Sequence, residues 1–216
     1  MEDNLLSYQI TDRRVDLYER IISDLQDQQF SVVDAFFDDE LLERFRKELL
    51  VMYEKDQFKK AAVGNKTSEV IRRQIRGDFI KWIDRRQATA TQLDFLKGID
   101  HFVNYFNRTC FLGILEKEFH YAVYPKGTFY KRHLDAFQQH HQHRKLSMVL
   151  YLNEYWAAGN GGELVIYQTQ NNREIAYPVI PVYGRLVIFE SQELIHEVKP
   201  VNDGLRLSIT GWLKTR

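Results

Sequence analysis

Two histidines and an aspartate in this chain have the types and spacing to hold a metal ion. His133 and Asp135 are separated by one residue within Tyr130-Lys131-Arg132-His133-Leu134-Asp135. On a strand the two side chains share one face, with α-carbons about 6 to 7 Å apart, so an imidazole and a carboxylate can converge on one ion. The tripeptide alone is weak, because seven histidines and fifteen aspartates in 216 residues make it about an even chance. His196, in the β-rich run Leu194-Ile195-His196-Glu197-Val198, strengthens it. It would complete two imidazoles and one carboxylate on three corners of an octahedron, a set that suits Fe(II) and leaves positions open. The cysteine usage agrees: Cys110 is alone, so neither an intramolecular disulfide nor a thiolate zinc site is available.

A second candidate lies ten residues beyond His196. In Arg206-Leu207-Ser208-Ile209-Thr210-Gly211-Trp212, strand alternation puts Arg206, Ser208, Thr210 and Trp212 on one face and Leu207 and Ile209 on the other. An arginine facing the inside of a β-barrel is costly unless it meets an anion. Its fork suits a carboxylate held bidentately, and Thr210 can add a hydroxyl donor.

The elements that must position these residues differ along the chain. Helical spacing runs over Val15 to Gln28, Asp38 to Asp56, with Asp38 or Asp39 as cap, and Thr91 to Arg108. Phe30 to Val33 reads as a short strand. All four prolines and seven of the eleven glycines lie beyond residue 124, and from residue 118 the pattern becomes about eight short strands separated by turns. The expected fold is α+β, an antiparallel sandwich or barrel with helices packed on one outer face.

At 44% hydrophobic and 28% charged residues, disorder and coiled coil are excluded as whole-chain descriptions. Thirty basic and thirty acidic residues cancel, so no protein-wide positive field draws nucleic acid. No apolar run approaches the roughly 20 residues of a membrane helix, and Met1-Glu2-Asp3-Asn4 is not a secretory start, so a cytoplasmic setting is expected. Within the neutral total, residues 59 to 86 carry nine Lys or Arg against Glu69, Asp78 and Asp84, a loop that could dock a partner. The cluster His140, His141 and His143 reads as a solvated loop rather than a second metal site.

The ordered set Ile75 to Ile83, Tyr124-Pro125, Tyr130 to Asp135, Arg144 to Asn153, Gly161-Gly162-Glu163-Leu164, His196-Glu197-Val198 and Arg206 to Trp212 resembles the Fe(II) and 2-oxoglutarate-dependent oxygenases. Within them it is similar to the prolyl hydroxylase domain family, typified by the hypoxia-inducible factor prolyl hydroxylases. The resemblance implies a double-stranded β-helix (jelly-roll) core with supporting N-terminal helices. It would form a single oxygenase domain over 1–216, with helical support and loop strands to about 118 and the core over about 119–213. It implies that His133, Asp135 and His196 bind Fe(II), and that Arg206 pairs with the distal carboxylate of 2-oxoglutarate, helped by Tyr151 and Thr210. Tyr124 and Trp212 would line the pocket, Arg144 would sit at the substrate mouth, and the basic segment up to Asp78 would close over the substrate. The implied activity is hydroxylation of a prolyl residue in a protein, with O2 as co-substrate, succinate and CO2 as products and ascorbate as a reductant. Ala136-Phe137 stands where the animal enzymes continue with Asn-Pro, and the loop to Arg144 looks about two residues longer; the compact form of the chain looks more like the bacterial members. That points to a monomer acting on a cytoplasmic protein such as a translation factor. The alternatives are an oxygenase of the same chemistry with a non-prolyl target, and a non-catalytic module that binds 2-oxoglutarate or a metal.

Overall fold

A computed structural model describes residues 2–61, 75–135 and 143–215, with the side chains of residues 2–12 outside the description. Three helices, α1 (Glu2–Gln28), α2 (Asp39–Glu54) and α3 (Ala90–Cys110), carry the support. Their starts follow capping chemistry. Asp38, in extended conformation, accepts from the Leu41 amide at 2.8 Å and opens α2. Thr89 and Gln92 form a reciprocal capping box that opens α3. The apolar stripes of α2 (Leu41, Leu42, Phe45, Leu49) and α3 (Phe95, Ile99, Phe102, Phe106) are buried in one cluster.

The strands are β1 (Phe30–Val33), β2 (Lys59–Lys60), β3 (Phe79–Trp82), β4 (Glu116–Pro125), β5 (Tyr130–His133), β6 (Arg144–Tyr151), β7 (Leu164–Gln170), β8 (Arg173–Val179), β9 (Leu186–Glu190), β10 (Ile195–Val198) and β11 (Leu205–Lys214). They form a seven-stranded sheet, β1-β9-β6-β11-β4-β3-β2, and a four-stranded sheet, β5-β10-β7-β8. From β4 onward the chain passes back and forth between the two sheets, which is the winding of a double-stranded β-helix.

Alternation along each large-sheet strand sorts residues between two cores. Phe119, Tyr121, Val123, Leu207, Ile209 and Leu213 pack toward the helices. Ala122, Tyr124, Val149, Tyr151, Val187 and Phe189 face the small sheet and meet Leu164, Ile166, Leu194 and Val198. The second space holds the polar residues of interest.

Candidate metal and co-substrate site

β5 and β10 are antiparallel neighbours, and their register sets His133 directly opposite His196. The strand expected to run through Asp135 ends at His133. Asp135 lies on the bend that follows, where the chain leaves the sheet edge. Two groups from β6 hold it there: the Ser147 hydroxyl donates to Asp135 Oδ2 at 2.7 Å, and Arg144 Nη1 donates to the Asp135 main-chain carbonyl at 2.9 Å. Ser147 and Ser191 hydroxyls lie 2.8 Å apart. The one Ser147 proton is committed to Asp135, so Ser191 is the donor of that pair.

Each imidazole is oriented by its Nδ1, 2.7 Å from the Lys131 carbonyl for His133 and 3.1 Å from the Leu194 carbonyl for His196. A carbonyl only accepts, so Nδ1 carries the proton and each Nε2 presents a lone pair. The two Nε2 atoms lie 3.5 and 3.6 Å from the Asp135 oxygens, and the three ligand atoms all lie within 4.8 Å of one another. Burial, with His133 beside it, pushes the His196 imidazole down to about 4. Burial by itself would raise the Asp135 carboxyl, but with no cation in place the facing imidazoles, when they carry a second proton, and the Ser147 hydroxyl outweigh it and hold the group well below the usual carboxylate range. Two lone pairs and a carboxylate facing one point repel each other unless a cation stands between them. The donor set of two imidazoles and one carboxylate fits Fe(II).

Arg206 is 1% exposed and, among the described residues, has no carboxylate within ion-pair distance. Its Nε donates to the Gly162 carbonyl at 2.8 Å, Nη1 to Ser208 Oγ at 3.3 Å and Nη2 to the Tyr151 hydroxyl at 3.3 Å. The rings of Tyr124 and Tyr151 each lie 4.9 Å from the guanidinium carbon. A buried cation without an anion is expensive, so the pocket is built for an acid that enters from outside. Gly162, at φ +70°, is required here: a Cβ on it would stand 3.1 Å from Arg206 Cδ.

Cross-strand register relates the two ends of the space. On the inner face, Arg206 pairs with Tyr124, Ser208 with Ala122 and Tyr151, Thr210 with His120 and Val149, and Trp212 with Glu118 and Ser147. Successive ranks are about 7 Å apart. The guanidinium reaches the Ser208 rank, Asp135 hangs from the Ser147 rank, and Thr210 lies between them. Thr210 therefore lines the path between the two ends and makes no hydrogen bond to Arg206.

The remaining expected residues form the walls. Tyr130 stacks on His133 with ring centroids 3.6 Å apart, and Arg76 lies 4.3 Å from the centre of the Tyr130 ring. Arg76 grips the buried Asp78 with both ends of its fork, at 2.7 and 2.5 Å. Burial pushes the Tyr130 hydroxyl up to about 12, which keeps it a neutral phenol. Arg144, expected at the substrate mouth, also donates to Glu118 at 3.2 Å and stacks on Trp212 at 3.6 Å.

Sequence reasoning missed Arg76, Ser147, Ser191 and His120. For Arg76 a signal existed, since it is two residues from Asp78. The other three matter through cross-strand neighbours that spacing does not reveal. Residues 62–74 of the basic segment and His140 and His141 lie outside the described residues, and His143 is exposed. Among the described residues, His133, Asp135 and His196 are the one cluster of metal-ligand type.

Winding and site together define a jelly-roll with a cluster of metal-ligand type on one side and, across from it, a buried arginine that has no carboxylate partner among the described residues. Residues 119–214 match the family model described as 2OG-Fe(II) oxygenase superfamily. A crystal structure of a Pseudomonas putida prolyl-4-hydroxylase is 35% identical over 92% of this chain and 99% of that one, with a TM-score of 0.81. A prolyl hydroxylase solved in complex with a hypoxia-inducible factor peptide fragment, from Trichoplax adhaerens, is 25% identical over 96% and 92%, with a TM-score of 0.82. Prolyl hydroxylase EGLN3 of Mus musculus is 32% identical over 66% of this chain and 60% of its own length. The chain belongs to the 2OG-Fe(II) oxygenase superfamily, and these relatives within it are prolyl hydroxylases. It spans 60% or less of the curated relatives it matches.

Proposed function

We propose that the protein is an Fe(II)- and 2-oxoglutarate-dependent dioxygenase that hydroxylates a prolyl residue in a protein. The observation that carries this reading is the pairing of a three-residue cluster of metal-ligand type with a buried arginine that lacks an acid partner among the described residues, at opposite ends of one inner face. The prolyl target is supported by the likeness to the Pseudomonas enzyme over nearly the full length of both chains.

When bound, iron and 2-oxoglutarate supply the oxidising chemistry that turns O2 into a hydroxyl group on carbon, with succinate and CO2 as by-products. The protein's own residues bind and exclude. His133, Asp135 and His196 would hold the metal through the two Nε2 atoms and one carboxylate oxygen. Arg206 receives the distal carboxylate of the oxo-acid through its remaining N–H capacity. The Tyr151 hydroxyl, which already accepts from Arg206, turns its proton toward the same carboxylate. Tyr124, Tyr130 and Trp212 make a wall that keeps water from the reacting carbon and restricts its approach. The reading includes a monomer acting in the cytoplasm, with a translation factor as a candidate substrate.

The test is succinate release dependent on Fe(II), 2-oxoglutarate and a protein substrate trapped from lysate, with the product mapped by mass spectrometry. His133→Ala and Arg206→Ala are expected to lose turnover by at least about 100-fold. Normal turnover in either variant, or oxidation at a residue other than proline, would reject the reading.

A further inference from the structure

Among the described residues, four buried side-chain nitrogens have no hydrogen-bond partner: Arg44 Nε, Arg46 Nε, His120 Nδ1 and Trp212 Nε1. The two arginines spend their other nitrogens on Asp94 and Glu154. His120 and Trp212 are different because they share a place. They project from β4 and β11 on the inner face, one rank apart, with ring centroids 5.5 Å apart. Each orphaned nitrogen carries a desolvation cost that an apolar side chain would avoid. Neither is used in binding metal or oxo-acid.

The chemistry of the pair selects a ligand. Trp212 Nε1 can only donate, and His120 Nδ1 accepts when the imidazole carries its proton on Nε2. A donor beside an acceptor matches the C=O and N–H of one residue in extended conformation, which point the same way. We infer that His120, with Trp212, recognises the main chain of the substrate beside the hydroxylated residue. This rests on the prolyl reading. Proline has no N–H, so the residue held is its neighbour. Trp82, 47% exposed, lies 4.8 Å from the His120 ring and 6.2 Å from that of Trp212 and is the rim side chain that an entering peptide displaces, while Arg144, bonded to Asp135 and Glu118, stays stacked on Trp212.

The test uses the iron-loaded enzyme and a pool of blocked pentapeptides with central proline and randomised neighbours, read by mass spectrometry for hydroxyproline. With the best member, His120→Leu is expected to raise KM about tenfold, the worth of one hydrogen bond, while kcat changes less than about twofold. His120→Asn places an amide where Nδ1 stands and is expected to keep KM within about threefold. N-methylation of the amide beside proline raises KM for the wild type and adds nothing further in His120→Leu. An unchanged KM in His120→Leu, or equal rises in the Leu and Asn variants, overturns the inference alone. If His120→Leu fails to fold, the Asn variant and the N-methyl series on the wild type decide it. No hydroxyproline from the wild type overturns the prolyl reading and this inference with it.

Discussion

Asp135 is the ligand with the least support from secondary structure, and two side chains replace that support. Arg144 fixes its main chain and Ser147 fixes one carboxylate oxygen, while Ser191 fixes Ser147. Ser147→Ala leaves Oδ2 free to turn and Ser191 without its acceptor. The expected result is a 10- to 100-fold weaker metal affinity, about the size found when such outer partners are removed, with Ser147→Thr restoring most of it. Titration of the apoprotein with Fe(II) or Mn(II) under anaerobic conditions measures this, and equal affinities would show that the hydroxyl chain is packing alone. That His133, Asp135 and His196 come together was legible in sequence because the strand period of two and the small number of candidate side chains leave few solutions. Ser147 was not, since a serine on a strand carries no sign of the residue it faces after the sheets close.

At the scale of elements, the turn at Asn160-Gly161-Gly162 links co-substrate binding to the β10–β11 connection. Gly161, at φ +71°, would place a Cβ 2.1 Å from the Pro200 carbonyl oxygen, a backbone atom that cannot step aside. Gly161→Ala is therefore expected to cost about 2 kcal/mol or more, from the positive φ and the clash together. Because the neighbouring Gly162 carbonyl holds Arg206 Nε, the KM for 2-oxoglutarate should rise in parallel. Urea denaturation and steady-state kinetics on the same preparation check both, and a stability loss with no change in KM would separate the turn from the arginine. The eight core strands and helices α2 and α3 were readable from periodicity, capping residues and turn glycines, while α1 (Glu2–Gln28) was readable only from Val15. β2 and β3 were not. Lys59–Lys60 is two exposed residues, and in Phe79–Trp82 the burial does not alternate, because the strand lies near the border of its sheet with only β2 beyond it.

For the whole molecule, the site makes stability conditional. A metal that binds the native fold and not the unfolded chain adds about 2.7 kcal/mol at one hundred times its Kd. Thermal melting should rise with added Fe(II) or Mn(II) and fall with chelator, and His133→Ala should abolish the response. Acidity acts separately through His120. Burial, aided by the nearby Arg76, holds its imidazole down to about 3. Below its ordinary value near 6.5, the unfolded chain takes up a proton that the native state refuses. The contribution is intact above about 6.5 and is lost as pH falls toward 3, by up to about 1.4 kcal/mol per unit. Urea midpoints at pH 7 and pH 5 should therefore converge in His120→Leu relative to the wild type. Equal slopes in the two proteins would remove His120 from the account.

The placement of β5 has one more consequence. This four-residue strand is the border of the small sheet and has β10 as its strand neighbour. If β5 peels away, β10 offers a row of unpaired amides and carbonyls, the kind of surface on which chains stick to each other. An ion shared by His133 and His196 would be a rivet across that border. Its loss would then unfasten the seam that keeps one molecule from adding to the next.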